Sequence, residues 1–518
     1  MRSNPAIPMN RLSLRTGTAL LALCLLLTSC DALDSHFQEM NVNPTQADQI
    51  NPNYKLTDIQ LRISGERYEN WRTNLIYSST MIQHFATLPT YWAGDKYLYI
   101  ASYSAAMWDR YYPNIARNIE DLRVQVCEDP AQVNLCSITR IMRVFMYHRL
   151  TDLYGDIPYS EAGLGYLEGI TQPVYDSQEF IYNHMLTELE EAAQALSPGQ
   201  QTFSTGDLIY NGDVEKWRKF AYSMMLRLGM RLVKVDAGAA QQWVSKAIAG
   251  GVMESNADIA FVPHEDPAGW RNGNGSVFLA DSSPHLSEFF VEWMKTHNDP
   301  RLYVYGQVPV DGAPAVGLPN GYDSNTISSH PSWIPCEPAD SPPSPCGMDV
   351  YMDPHPVIRG EDDPMFFMTY AEVELLLAEA AVRGWHTGDP ATHYANGVRA
   401  AMEYLSMYGA DAVIPNDAIE AYLAANPFDP ANALKQINEQ IWAAVLLNEY
   451  EAYANWRRTG YPELTPVVYP GNVTGGTIPR RLRYREQEQV ANPQNYQAAI
   501  SRQGPDLLTT RIWWDVAQ

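Results

Sequence analysis

The 518-residue chain predicts an all-α body interrupted by one long, loop-rich insertion. Three observations carry this reading. Apolar residues recur three and four apart in several segments, as on the buried stripe of a helix. Those segments open on capping side chains and close on glycine or on positive charge. Between Pro263 and Pro356, by contrast, lie fifteen of the 36 prolines, and helical periodicity survives there only around Pro284 to Thr296. Loops this long inside a compact protein are usually functional or disordered. The helical segments on either side then share one core, giving a body over residues 54–518 with an excursion at about 250–363.

The elements follow in chain order. Arg2, Arg11 and Arg15 precede the apolar run Ala19–Leu27, and no acidic residue interrupts them. This is the layout of a secretory leader. Leu27-Thr28-Ser29-Cys30 looks like a bacterial lipobox, so residues 1–29 are expected to be removed and Cys30 to carry lipid. Outside the leader no apolar run approaches the ~18 residues of a membrane span, which leaves the lipid as the anchor. Residues 30–53 contain Asn41-Val-Asn-Pro44 and Asn51-Pro-Asn53, turn chemistry suited to a tether. Ser137–Ala162 places Ile138, Ile141, Met142 and Phe145 on one helical face and breaks at Gly155. Asp213 caps a helix striped by Trp217, Phe220, Ala221, Met224 and Leu228. Asp363-Pro364 reads as a cap with proline in the first turn, opening a helix through Leu375–Leu377 to Gly384. Asp429-Pro430 reads the same way, opening a helix that runs to Arg457-Arg458 and closes at Gly460.

The formal charge is −24, and removal of the leader makes the body more acidic still. Such a surface repels nucleic acid and anionic membranes. Cys127/Cys136 and Cys336/Cys346 are local pairs, nine and ten residues apart in loop-like sequence. Outside the cytoplasm they read as two disulfides, and no CxxC or HxxxH spacing favours zinc instead. No His-Glu-x-x-His, Gly-x-Ser-x-Gly or Walker loop is present, so no enzymatic activity is expected. Acidic pairs such as Glu361/Asp363 and Glu372/Glu379 read as a cap and as partners for arginine. His148, inside an apolar helix, reads as a satisfied core residue.

Several stretches carry a family resemblance. They are Thr151-Asp-Leu-Tyr-Gly-Asp-Ile-Pro-Tyr-Ser-Glu-Ala162, Pro173-Val-Tyr-Asp-Ser-Gln178 and Gly206-Asp-Leu-Ile-Tyr-Asn-Gly-Asp213. Thr369-Tyr-Ala-Glu372 with Ala378-Glu-Ala-Ala381, Trp456-Arg-Arg-Thr-Gly-Tyr-Pro462 and Ile478-Pro-Arg-Arg-Leu-Arg-Tyr484 follow in order. Together with the lipobox they resemble the SusD/RagB family of outer-membrane lipoproteins, on its SusD-like branch. The resemblance implies a tetratricopeptide-like helix-pair body, although no 34-residue repeat is legible. It also implies a cell-surface protein, lipid-anchored in the outer membrane, that binds without catalysing. The implied partner is a SusC-like TonB-dependent transporter, to which oligosaccharide is delivered for import; the RagB side of the family takes peptides, and a scaffold without a small ligand is a further alternative.

Those motifs do not place the ligand, so composition has to. Sugars need flat apolar faces for their C–H groups and planar polar groups for their hydroxyls. With 32 Tyr and 13 Trp against 13 Phe, the chain is rich in polar-edged aromatics. Two loop-like stretches mix both kinds of residue, Thr90–Tyr99 and His264–Gly275. Trp92 and Trp270 are the expected stacking platforms, with Tyr91, Tyr97 and Trp333 beside them and Arg271, Asn272 and Asn274 for hydrogen bonding. No cofactor is expected. The one metal to consider is calcium, for which Glu265, Asp266, Asn272 and Asn274 offer oxygen ligands off the EF-hand spacing.

Overall fold

The computed structural model describes residues 50–266, 269–310, 312–336 and 345–517. The leader, Cys30 and nearly all of the tether lie outside the described residues. The first described helix, Pro52–Ser64, already begins inside the span read as tether, because Pro52 fits a first helical turn.

Helices build the body, and consecutive ones pack on each other across short connections. Val133–Tyr154 packs on Gln178–Ala195, which packs on Val214–Arg231, which packs in turn on Ala237–Gly250. Tyr370–Val382 packs on Pro390–Glu403 and on Ala433–Ala444. This is the tetratricopeptide-like helix-pair arrangement, and one apolar core runs through it from Leu56 to Trp514. Side chains set many of the helix starts. Asp213 accepts from the Glu215 and Lys216 amides, and Ser177 from that of Phe180. The 22-residue helix ending at Tyr154 stops where Gly155 takes φ +82°, a conformation that favours glycine. Upstream of the Val214 helix, the buried Asp207 folds a family motif around itself. It accepts from Gln60, from the amides of Ile209 and Gly212, and from Trp217 Nε1 at 2.6 Å.

The excursion is tied at its neck. Ala260–Val262 pairs antiparallel with Met365–Met368, so the chain leaves and re-enters the body at one ribbon. Phe85–Ala86 pairs with His285–Leu286 and Gly306–Gln307 with Asp353–Pro354. A small separate apolar cluster, Ala86, Leu88, Leu318, Ile327, Val350 and Tyr351, supports the loops, and Tyr322 and Trp333 pack against it.

Two expected helix boundaries change. Asp363-Pro364 leads into the strand Met365–Met368, whose four buried apolar residues suit pairing better than a first helical turn. The helix starts only at Tyr370, where Thr369 caps the Glu372 amide. The segment after Asp429 forms two helices, Ala433–Ala444 and Glu449–Thr459, with Leu447 between them at φ +72°. A distant side chain holds this break. Asn74 donates to the Leu447 carbonyl at 3.0 Å and accepts from the Glu449 amide at 3.1 Å.

Candidate functional site

The residues expected to bind ligand fall into three different environments. Trp92 is fully buried, and its Nε1 donates to Asp281 at 2.9 Å. It presents no face to a ligand, which corrects its reading as a platform. The cause is the inward turn of its loop. Gly94 lies so close to the preceding helix that a Cβ there would sit 2.1 Å from the Ile76 carbonyl oxygen. Tyr97, also expected at the ligand, is buried too, and its hydroxyl accepts from the Val467 amide at 3.1 Å. Tyr91 stays 40 % exposed, with its hydroxyl donating to Asp281 at 2.8 Å.

Trp270 and Arg271 reach the surface, and Arg271 pairs with Asp266 at 2.7 Å. Asn272 and Asn274 do not accompany them. Asn272 caps the helix Gly273–Ala280, accepting from the amides of Asn274 and Gly275. Asn274 is buried; it accepts from Asn74 and donates to the Leu447 carbonyl, reinforcing the helix break. The calcium set is therefore not assembled, since both asparagine oxygens are already engaged. Trp333 packs partly against the small loop cluster.

The disulfides form as paired, Cys127–Cys136 and Cys336–Cys346. Buried His148 directs Nδ1 to the Phe145 carbonyl at 2.6 Å, and burial together with nearby arginines holds its pKa well below the usual value. Glu372 meets Arg227 and Glu379 meets Arg458, both inside the core, so neither carboxylate faces a substrate.

A cleft of about 760 Å³ lies elsewhere. Four segments wall it: Gln83, the helix Glu288–Thr296, the loop around Asn320-Gly321-Tyr322, and Thr465–Pro470. Trp293, Tyr322 and Tyr469 supply aromatic surface. Trp293 Nε1 donates to Glu439 at 3.2 Å, and the Tyr469 hydroxyl donates to Asp323 at 2.7 Å. Tyr322 is braced edge-on by His330, ring centroids 5.1 Å apart. Buried Tyr97 matters here indirectly, because its hydroxyl fixes the backbone of the cleft residue Val467. Glu288 and Glu292 supply carboxylates, and among the described residues neither lysine nor arginine lines the cleft. Burial raises the Glu288 pKa, an effect opposed by His330 at 3.8 Å. Flat aromatic surface beside hydrogen-bond acceptors, in a cleft of this size, suits a neutral amphipathic ligand such as a sugar chain.

Reading the sequence missed this cleft. Trp293 was hidden in a helical stripe, and Asn320-Gly-Tyr-Asp323 and Val467-Val-Tyr-Pro470 stand far apart in the chain. The one available signal was tyrosine beside turn residues in loop-like sequence.

Comparison with known proteins places this geometry. The SusD-like family described as starch-binding and associating with the outer membrane matches residues 44–485. A chitin-binding protein of known structure is 34 % identical, with a TM-score of 0.82 over 90 % of this chain and 100 % of its own. A SusD-like protein from Bacteroidetes AC2a is 27 % identical, with a TM-score of 0.79 over 90 % of this chain and 100 % of its own. A SusD homologue from Bacteroides uniformis, 24 % identical, shares the fold at a TM-score of 0.76 over 91 % of this chain and 100 % of its own. Among curated protein sequences none matches. With the family pattern spanning most of its length and helix-pair relatives superimposing over nine-tenths of it, the chain belongs to the SusD-like family.

Proposed function

We propose that this protein is a lipid-anchored receptor at the outer surface of the outer membrane. It binds oligosaccharide in the cleft walled by Trp293, Tyr322 and Tyr469. It passes the ligand, chemically unchanged, to a SusC-like TonB-dependent transporter. The observation that carries the ligand class is the cleft wall, with aromatic surface beside the Glu288 and Glu292 carboxylates and, among the described residues, no lysine or arginine. The family description and the 34 % identical chitin-binding relative support the same reading and make chito-oligosaccharides the first ligands to test.

Lipidation at Cys30 is part of the proposal and rests on the Leu27-Thr-Ser-Cys30 motif. No helix among the described residues is long and apolar enough to cross a membrane. Labelled palmitate should enter the wild-type chain and not Cys30→Ala, and label in both would refute the anchor.

Titration with chito-oligosaccharide should change tryptophan fluorescence saturably, because Trp293 is in the wall. Tyr322→Ala should weaken binding by about 1 kcal/mol or more, roughly five-fold, the scale of one aromatic contact. Unchanged affinity in Tyr322→Ala and Tyr469→Ala would remove the cleft as the site. A response to mixed peptides alone would replace the glycan with a peptide.

A further inference from the structure

A second cavity, of about 460 Å³, is built where the segments around Arg62–Arg72 and Arg110 meet Trp270. Its chemistry opposes that of the first. Arg62, Arg67, Arg72, Arg110 and Arg271 line it, against one lining carboxylate, Glu66, in a chain whose formal charge is −24. Two of the arginines are matched, Arg62 by Asp58 and Arg271 by Asp266, each at 2.7 Å. The others lean on aromatic rings. Arg72 lies over Tyr68 at 4.1 Å and near Trp71 at 5.8 Å, and Arg110 lies over Tyr68 at 4.7 Å. Arg67 lies over Trp71 at 6.0 Å. Among the described residues no carboxylate pairs with Arg67 or Arg72, and Arg110 reaches Glu66 at 3.9 Å and the buried Glu69 at 4.0 Å. Stacking engages the face of a guanidinium and leaves in-plane N–H donors for a planar acceptor; on Arg72 one of these, Nη1, already donates to the Tyr68 carbonyl at 2.9 Å.

Three buried atoms of the lining residues also lack hydrogen-bond partners, Trp71 Nε1, Arg110 Nε and His264 Nε2. His264 is 6 % exposed, and its Nδ1 lies 2.9 Å from the Trp270 carbonyl oxygen. A carbonyl only accepts, so Nδ1 carries the hydrogen and Nε2 presents a lone pair. Burial lowers the His264 pKa, which keeps the ring neutral. The cavity thus offers guanidinium donors for an anion and, in Trp270, 48 % exposed, a flat apolar face.

We propose that this cavity binds an acidic sugar residue, a uronate or a sulfated hexose. The ring stacks on Trp270, and the carboxylate or sulfate takes the guanidinium edges of Arg67, Arg72 and Arg110. A neutral sugar offers the guanidiniums hydroxyl acceptors but no opposite charge, and a bare inorganic anion makes no use of Trp270. The assignment is independent of the first cleft, which among the described residues no lysine or arginine lines.

Calorimetric titration of the full chain in detergent tests it, with tetragalacturonate, a sulfated chondroitin disaccharide, chitotetraose and inorganic sulfate as probes. At least one acidic sugar should bind saturably, and which one names the acid group. Binding should weaken at least ten-fold in Arg67→Gln/Arg72→Gln and in Trp270→Ala, and should fade near 1 M salt, where the Debye length is ~3 Å. Chitotetraose binding, if present, should be unchanged in these variants, so failure here and failure of the first cleft are distinguishable. Should the double variant not fold, judged by circular dichroism, Arg67→Gln alone is read, because Arg67 is exposed. The proposal is overturned if neither acidic sugar binds, or if their affinity is unchanged in the arginine variants. It is also overturned if inorganic sulfate binds as well as the sugars, or if Tyr322→Ala alone abolishes their binding.

Discussion

Arg458→Ala is expected to destabilise the fold by about 3–5 kcal/mol, the usual consequence of removing one partner from a buried ion pair. Both side chains are fully buried. Arg458 grips Glu379 through two parallel bonds, Nη1 at 2.7 Å and Nη2 at 2.8 Å. Arg383 adds bonds at 2.7 and 2.9 Å and Asn438 one at 3.2 Å. Without Arg458 the carboxylate keeps only these two partners in a core that water does not reach. Arg458→Lys should fall between, because an ammonium restores the charge and not the fork. Urea unfolding midpoints measure both, and a loss below about 1 kcal/mol for the alanine variant would contradict the account.

The same pair sets an acid limit. Burial on its own would raise the Glu379 pKa, but Arg458 and Arg383 outweigh it and hold the value at about 2 against an ordinary 4.5. A depressed carboxylate contributes stability that is present above its unfolded pKa and is lost as pH falls through the folded one. Wild-type stability should therefore decline between about pH 4.5 and 2, and this component should shrink in Arg458→Ala. Stability profiles of equal shape over that window would refute the assignment to Glu379.

Trp92→Ala is expected to cost about 3–5 kcal/mol of stability, the range for truncating a large buried aromatic residue. It also removes a donor from Asp281, whose carboxyl is held below its ordinary pKa, against burial, by bonds from Ser283, Trp92 and Tyr91. Trp92→Phe should recover most of the packing and not the hydrogen bond. Glycan affinity of the folded fraction should be unchanged in both variants. A selective loss of binding with normal stability would return Trp92 to the ligand site.

The family motifs take on a physical meaning in this light. Arg457, Arg458, Arg480 and Arg481, all within motif segments, are buried in the core. Arg457 donates to the Asp152 carbonyl and lies over Tyr453 at 3.9 Å, while Arg481 pairs with Asp506 at 3.0 Å. A buried guanidinium needs its particular partners, and these arginines hold the scaffold rather than touch a ligand. That is why the motifs identify the family and leave the binding site unmarked.

What the sequence determined by itself was local. Asp213 starts a helix, Gly155 and Gly460 end helices, and each cysteine pair closes a short loop, because all the interacting groups lie within a few residues of one another. The sign of the core pairs was legible too, since Glu372 and Glu379 on a buried helical face need arginine. Only the tertiary structure decided what depends on distant partners. Asn74 breaks the helix after Ala444, Asp281 draws Trp92 inward, and segments near residues 83, 293, 322 and 469 together wall one cleft. The reason is physical: an aromatic side chain has the same local propensity whether it faces water or core, and the choice between them is made by what the rest of the chain places beside it.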